Sequence, residues 1–191
     1  MPPLILASSS PYRRALLERL RVPFACVSPG LAEAHLEGEP ATDRAARLAH
    51  DKAQAVGMLH PDAVVIGSDQ VAACDGALLD KPGDAARCKA QLAQLSGRTA
   101  HFYTGCVVRR AAGAPLLHLD ITTVVFRTLA AAEIERYVAA EQPWDCAGGF
   151  KAEGLGIALF ERIESADPTA LIGLPLIWLA GALRASGYPL P

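Results

Sequence analysis

The chain opens on Leu4-Ile-Leu-Ala-Ser-Ser-Ser-Pro-Tyr-Arg-Arg14, the stretch that most restricts what it can build. Four apolar residues suffice for a short buried strand, and the three serines end it. Ser10 is a favourable N-cap and Pro11 suits the first helical position, so a helix follows at once. Leu16, Leu17 and Leu20 give that helix an inward stripe. Arg13 and Arg14 sit oddly there. Cations in a first turn oppose the positive end of the helix dipole, at about 0.3–1 kcal/mol each when exposed. A bound anion reverses that sign, because free N–H groups, serine hydroxyls and guanidinium forks would converge on it. The alternative is that both arginines point into solvent, and the stretch alone leaves the two readings open.

Further along, Phe24–Val27 reads as a short strand leading into an acidic loop with Glu33, Glu37 and Glu39. The spacing of Ala45, Leu48, Ala49, Ala53 and Val56 predicts a helix over 41–59, capped by Thr42. Ala63–Gly67 is an apolar β run that stops at Ser68-Asp69-Gln70 and resumes over Val71–Cys74, before a turn at Asp75-Gly76. A second amphipathic helix spans Asp84–Leu95 and closes at Ser96-Gly97. Thr99–Arg109 and Leu116–Arg127 alternate around Ala-Ala-Gly-Ala-Pro, which predicts an antiparallel hairpin. Helix returns over Ala131–Ala140, a glycine-punctuated loop fills Cys146–Gly156, and Gly156–Glu161 reads as a strand. The last helix, Leu174–Ser186, carries Pro175 in its first turn, where proline is tolerated. The sum is a mixed α/β protein without repeats, linkers or low-complexity tracts.

Composition excludes several functions. Half of the 191 residues are apolar (51%), which rules out a disordered chain. A net charge of −2 and a pI near 6.2 provide no broad basic face for a nucleic-acid polymer. A polyanionic ligand would need a local cluster of cations, which favours a small phosphorylated molecule. The five cysteines include no C-x-x-C pair, so they read as free thiols of a reducing cytosol. The first residues lack the pattern of a signal peptide. Leu171–Leu183, the longest apolar stretch, is too short to span a bilayer.

Asp69 follows an apolar strand directly, at the carboxyl end where open α/β sheets place ligands. A carboxylate there can ligate Mg²⁺ or take a proton from water; an aspartate capping a turn accounts for it as well. Lys81 lies twelve residues on, beyond Asp75-Gly76, so a hairpin could return it toward Asp69. Lys81 also reads as a solvated loop lysine, and Lys52 as an exposed helix residue. His50 and Asp51 read as a helix surface pair. The chain has no Gly-x-Ser-x-Gly elbow, no Walker lysine and no dinucleotide glycine fingerprint. Trp144 and Trp178 read as core or interface.

The order of these pieces is specific where each alone is not. Leu-Ile-Leu-Ala-Ser-x-Ser-Pro-x-Arg-Arg, Glu33, Lys52-Ala53, Gly67-Ser68-Asp69-Gln70, Lys81-Pro82, Leu95-Ser96-Gly97, Ala147-Gly148-x-Phe-Lys-x-Glu-Gly154 and Gly173-Leu174-Pro175-Leu176 succeed one another along the chain. The series resembles the Maf family of nucleotide pyrophosphatases over essentially the whole sequence. Ser-Asp-Gln and Phe-Lys-Ala-Glu-Gly resemble the branch acting on 7-methyl-GTP, whereas the other branch prefers dTTP and UTP.

The resemblance implies one domain over residues 1–191, in the Maf/ITPase-like fold: a mixed twisted sheet flanked by helices, in two lobes with a central cleft. It implies hydrolysis of a nucleoside triphosphate to the monophosphate and diphosphate with a divalent cation, Mg²⁺ or Mn²⁺. By position, Asp69 would activate water and touch the metal, and Glu33 would be a second metal ligand. Lys52 and Lys81 would be catalytic cations and, with Ser8 and Arg13, surround the triphosphate. Tyr12, Gln70 and Glu153 would set base preference. N7-methylation leaves guanine with delocalised positive charge, on which Tyr12 can stack for about 0.5–2 kcal/mol. Glu153 can accept from guanine N1 and N2 while opposing that charge. Ala32, where relatives often carry an acid, leaves Glu33 alone, and Asp80 puts a negative charge beside Lys81. A homodimer in the cytoplasm, with no membrane and no nucleic-acid polymer as partner, completes the expectation. A dTTP/UTP pyrophosphatase and a septum-formation inhibitor acting by binding are the alternatives.

Overall fold

The computed structural model describes residues 1–110 and 112–191. Among them, one mixed sheet contains β1 (Leu4–Leu6), β2 (Ala25–Cys26), β3 (Val64–Cys74), β4 (Ala77–Leu79), β5 (Thr99–Arg109), β6 (Leu116–Phe126) and β7 (Phe160–Glu164). The helices are α1 (Pro11–Glu18), α2 (Ala41–Leu59), α3 (Ala85–Leu95), α4 (Ala131–Glu141) and α5 (Leu176–Ala185). Strand order is β2-β1-β3-β5-β6-β7, with β4 paired to β3 off that path. β1 is parallel to β2 and β3, β4 is antiparallel to β3, and β7 is antiparallel to β6. The α/β class read from the sequence is the class the chain adopts.

The chain divides into two compact units. The first comprises Met1–Gln70, Tyr103–Asp120 and Asp167–Pro191; the second comprises Val71–Phe102 and Ile121–Ala166. In the first unit, side-chain alternation along the strands separates two cores. Leu4, Leu6, Val64, Ile66, Cys106 and Val108 face Leu16 and Leu17 of α1 and Leu176, Leu179 and Leu183 of α5. Ile5, Val65 and Val107 face the other way, onto Ala49, Ala53 and Val56 of α2. Leu6 and Ile66 are fully buried, each such burial stabilising by about 1.5–3 kcal/mol. That is why a strand as short as β1 holds an interior place.

α2 lies unusually close to the sheet. A Cβ at Gly67 would collide with the Ala49 carbonyl oxygen and come within 2.7 Å of the Ala53 nitrogen. A Cβ at Gly105 of β5 would collide with the Ala45 carbonyl oxygen. Two glycines on neighbouring strands thus admit the helix backbone itself.

In the second unit α3 packs on α4. Phe102, Phe126, Phe150 and Phe160 meet edge to face, with centroids 4.8–5.6 Å apart, a geometry that aromatic quadrupoles favour. Asp84 caps α3 by accepting from the Arg87 N–H at 2.8 Å.

Several boundaries differ from the sequence reading. The runs 63–67 and 71–74 are one continuous strand, β3, and Ser68-Asp69-Gln70 does not interrupt it. Their polar side chains all find partners, so the ladder carries them. The strand predicted over Gly156–Glu161 starts late: Leu155–Leu159 forms a 3₁₀ turn and β7 begins at Phe160. A Cβ at Gly156 would collide with the Lys151 carbonyl oxygen, so that glycine serves a tight turn. The predicted strand at 24–27 is reduced to Ala25–Cys26. Pro40, not Thr42, occupies the N-cap of α2, and the Thr42 hydroxyl goes to Asp43. Pro175 precedes α5, which begins at Leu176. β5 and β6 are neighbours in the sheet, and Ala111, within the connection predicted as a hairpin, lies outside the described residues. Among the described residues no helix is long and apolar enough to cross a membrane.

Candidate active site

α1 starts as the sequence dictates, with Ser10 at its N-cap accepting from the Arg13 N–H at 3.4 Å and Pro11 in its first turn. The Ser8 hydroxyl, buried, accepts from the Ser10 N–H at 3.1 Å. Arg14 turns outward and pairs with Glu18. Arg13 turns inward instead: its Nε donates to the Gly173 carbonyl at 2.9 Å. Arg14 thus follows the solvent reading, while Arg13 faces inward onto a backbone carbonyl. The Tyr12 ring is half-buried beside them on α1.

The centre of the first unit lies where α2 meets β3. Lys52 is buried, not exposed on a helix face, and its Nζ is 2.5 Å from Asp69 Oδ1 and 2.5 Å from Glu33 Oε1. Asp69 is 5% exposed, whereas the Glu33 side chain is about half exposed, at 49%. A cleft of about 290 Å³ opens beside Glu33 and Lys52, lined elsewhere by Leu31, Leu48, Ala55 and Met58. Burial pushes the Asp69 carboxyl above its ordinary range, against the pull of Lys52 and Arg13 and with a further push from Glu33. Such a carboxylate is a stronger proton acceptor than a solvated one.

Asp69 is not at the carboxyl end of a strand, as the sequence implied, but in the middle of β3. Alternation then sends it and its neighbours to opposite faces. Asp69 shares the α2 face with Val65 and Gly67. Ser68 and Gln70 face the turn over Ala170–Gly173. The Ser68 hydroxyl, fully buried, lies 2.9 Å from the Gly105 carbonyl and 2.8 Å from the Gly173 carbonyl. The Gln70 amide nitrogen is 3.0 Å from Thr104 Oγ1 and from the Ala170 and Leu171 carbonyl oxygens. One turn thus holds Arg13 through Gly173 and both sequence neighbours of Asp69. Asp167 and Thr169 brace that turn: the Thr169 hydroxyl accepts from the Leu176 N–H and Asp167 Oδ2 accepts from the Ile177 N–H at 2.6 Å.

Of the residues singled out by sequence, the first unit brings Asp69, Lys52 and Glu33 into contact, with Arg13 near enough to act on Asp69. Ser8 meets the Ser10 N–H at the start of α1. Lys81 and Glu153 belong to the second unit, where both are exposed. There β4 folds back on β3 in the register Ala72↔Leu79, and Lys81 follows two residues later. Sequence reading missed Gly67 and Gly105, which let Lys52 descend to Asp69. A glycine inside an apolar strand was the available signal for Gly67. It also missed Asp167 and Thr169, which no local pattern marks.

The donors present suit a hard divalent cation. Glu33 and Asp69 offer carboxylate oxygens converging on one point, held in the structure by the Lys52 ammonium. Among the described residues no group of three or more His, Cys, Asp or Glu could hold a metal. Two carboxylates are a donor set that suits an ion completed by substrate phosphates and water, as Mg²⁺ commonly is.

The chain is a mixed α/β protein with an aspartate–lysine pair buried between a helix and the sheet. Two solved structures share its fold: the HAM1 protein of Coxiella burnetii, 16% identical over 97% of this chain and 100% of that one at a TM-score of 0.52, and the Staphylococcus aureus Ham1 protein, 11% identical over 96% and 99% at 0.54. The model of the family described as Maf-like protein matches residues 3–186, and the chain belongs to that family. Curated relatives named 7-methyl-GTP pyrophosphatase include proteins of Xanthomonas oryzae pv. oryzae, 54% identical over 100% of both chains, and of Alkalilimnicola ehrlichii, 53% identical over 99% of this chain and 96% of that one. One from Bordetella avium is 54% identical over 97% and 94%. The family expected from the order of the motifs is the family found.

Proposed function

We propose that the chain hydrolyses 7-methyl-GTP to 7-methyl-GMP and diphosphate, keeping a modified nucleotide out of nucleic acid. The observation that carries this reading is the buried Asp69 carboxylate gathered with Glu33 on the Lys52 ammonium. Full-length relatives of that name at 53–54% identity support the substrate class.

In this reading a water oxygen bonds to the α-phosphorus while the bond from that phosphorus to the diphosphate oxygen breaks. Asp69 takes the proton of the attacking water, and its raised basicity suits the task. Glu33 and Asp69 would hold Mg²⁺ or Mn²⁺, which would supply charge neutralisation along the phosphate chain. Lys52 keeps the two carboxylates in place before the substrate arrives and shares the phosphate charge afterwards. Arg13 and Ser8 complete the phosphate contacts in the first unit, adding donors where negative charge accumulates; the family's motif gives Lys81 a phosphate role as well. By the family's motif, base preference falls to Tyr12, which would stack on the methylated base, to Gln70, and to Glu153, whose carboxylate would oppose the charge of the base. The same proposal includes a single domain, a homodimer and a cytoplasmic location.

The test is diphosphate release from a nucleotide panel with Mg²⁺ or Mn²⁺. Preferred turnover of 7-methyl-GTP is expected, with Asp69→Asn inactive and Glu153→Gln losing most of the preference. Equal turnover of dTTP and 7-methyl-GTP overturns the substrate assignment. No hydrolysis of any triphosphate overturns the enzymatic reading and leaves a binding role in division.

A further inference from the structure

In the second unit, the exposed Glu153 stands on a turn that is anchored on both sides by the end of α4. The Leu155 N–H donates to Glu141 Oε2 at 2.8 Å. The Lys151 ammonium donates to the Glu141 carbonyl at 3.3 Å and lies 3.7 Å from Oε1 of the same residue. The Lys151 N–H donates to the Tyr137 hydroxyl, one helical turn earlier, at 3.1 Å. Within the turn, the Gly154 N–H closes onto the Lys151 carbonyl at 3.2 Å. Gly154 also leaves the room Glu141 needs, since a Cβ there would lie 2.7 Å from Glu141 Oε2.

Glu141 has no reason to be there for the helix alone. It is the last residue of α4, where a carboxylate opposes the negative end of the helix dipole. Its side chain is only 20% exposed, and both its carboxylate oxygens are directed at residues 151 and 155. Glu153 lies midway between those anchors and is itself exposed. An unanchored loop carboxylate would have to be ordered by the ligand, which weakens binding; a held one is ready beforehand.

We infer that Glu141 is a positioning residue for base recognition: it fixes the Lys151–Leu155 turn so that the Glu153 carboxylate is presented in one place. The inference rests on the base-reading role given to Glu153 above. It makes a separable statement, because Glu141 reaches the base only through the turn.

Steady-state kinetics of Glu141→Ala, Glu141→Gln, Tyr137→Phe and Glu153→Gln on 7-methyl-GTP and dTTP test it, with thermal melts confirming that each variant is folded. For Glu141→Ala the KM for 7-methyl-GTP rises about tenfold, kcat changes less than twofold and the KM for dTTP stays put. Glu141→Gln keeps an acceptor for the Leu155 N–H and recovers most of the loss, while Tyr137→Phe gives a smaller rise of the same kind. Wild-type kinetics in Glu141→Ala beside a lost preference in Glu153→Gln overturn the positioning role alone. An equal fall in kcat on both nucleotides overturns it too, as damage to the fold. An unchanged preference in Glu153→Gln overturns the base-reading role and the inference with it.

Discussion

Replacing Lys52 with methionine isolates what the buried ammonium does, and its consequence can be worked from the geometry. Asp69 Oδ1 and Glu33 Oε1 each lie 2.5 Å from Lys52 Nζ, so they are no more than about 5 Å from each other. Without the ammonium, two carboxylates face one another at that distance. Their repulsion is about 3 kcal/mol at an effective dielectric near 20, which agrees with the roughly 3–5 kcal/mol typical of removing one partner of a buried pair. For a chain of this length that lowers Tm by about 6–12 °C, at 2–4 °C per kcal/mol. Asp69→Asn is expected to behave differently. It removes the charge that burial disfavours, and Lys52 keeps Glu33, so the change is about 1 kcal/mol and Tm moves by less than about 4 °C.

Thermal melts of the two variants and the wild type, in metal-free buffer at low salt and pH 7.5, decide the matter. Acidification adds a second signature. A carboxyl whose pKa is raised by folding contributes stability below its unfolded value, near 3.9, and loses it as pH rises through the folded value. Losing Lys52 raises the folded value of Asp69 further, so the deficit of Lys52→Met shrinks as pH falls from 7.5 toward 5. Equal melting temperatures for Lys52→Met and Asp69→Asn, or a deficit indifferent to pH, would refute this account of the cluster.

Gly67→Ala places a methyl group against the α2 backbone and should destabilise by about 1–3 kcal/mol while lowering turnover at least tenfold; melts and diphosphate release check both, and an unchanged rate would mean that Lys52 does not depend on the close approach. In the metal-free protein the Asp69 carboxyl, followed by carboxyl-carbon NMR, should titrate above the ordinary aspartate value of about 3.9, because burial outweighs the pull of Lys52 and Arg13; a midpoint below it would contradict the burial. Over the same interval Asp69→Asn should show a flatter dependence of stability on pH, since the wild type loses a contribution there as pH rises.

The α/β class and most elements were legible because periodicity and caps are local. Ser10 with Pro11 started α1, Asp84 started α3, and the 3.6-residue spacing over 41–59 matched α2 to the residue. β3 was misread as two strands for a physical reason. Ser68, Asp69 and Gln70 look like a break only if their polar groups lack partners, and those partners lie 17 to 105 residues away in Lys52, Gly105, Ala170 and Gly173. The candidate site shows the same limit. Residue types and their order picked out Asp69, Lys52, Glu33 and Arg13, yet Lys52 alone reads as a surface lysine.

What turns Lys52 from a surface residue into a buried one is the absence of two side chains elsewhere. A helix normally stands off a sheet by the thickness of the side chains between them. At Gly67 and Gly105 there is no side chain to interpose, and the Ala45 and Ala49 carbonyl oxygens of α2 lie over those two glycines. Lys52 is one helical turn beyond Ala49, and Asp69 is two residues beyond Gly67 on the same face of β3, so the close approach also sets where ammonium and carboxylate meet. The buried pair is thus a product of backbone proximity first and of charge second. Charge then decides its balance: two carboxylates on one ammonium leave the cluster one negative charge in excess, with Arg13 the nearby cation acting on Asp69.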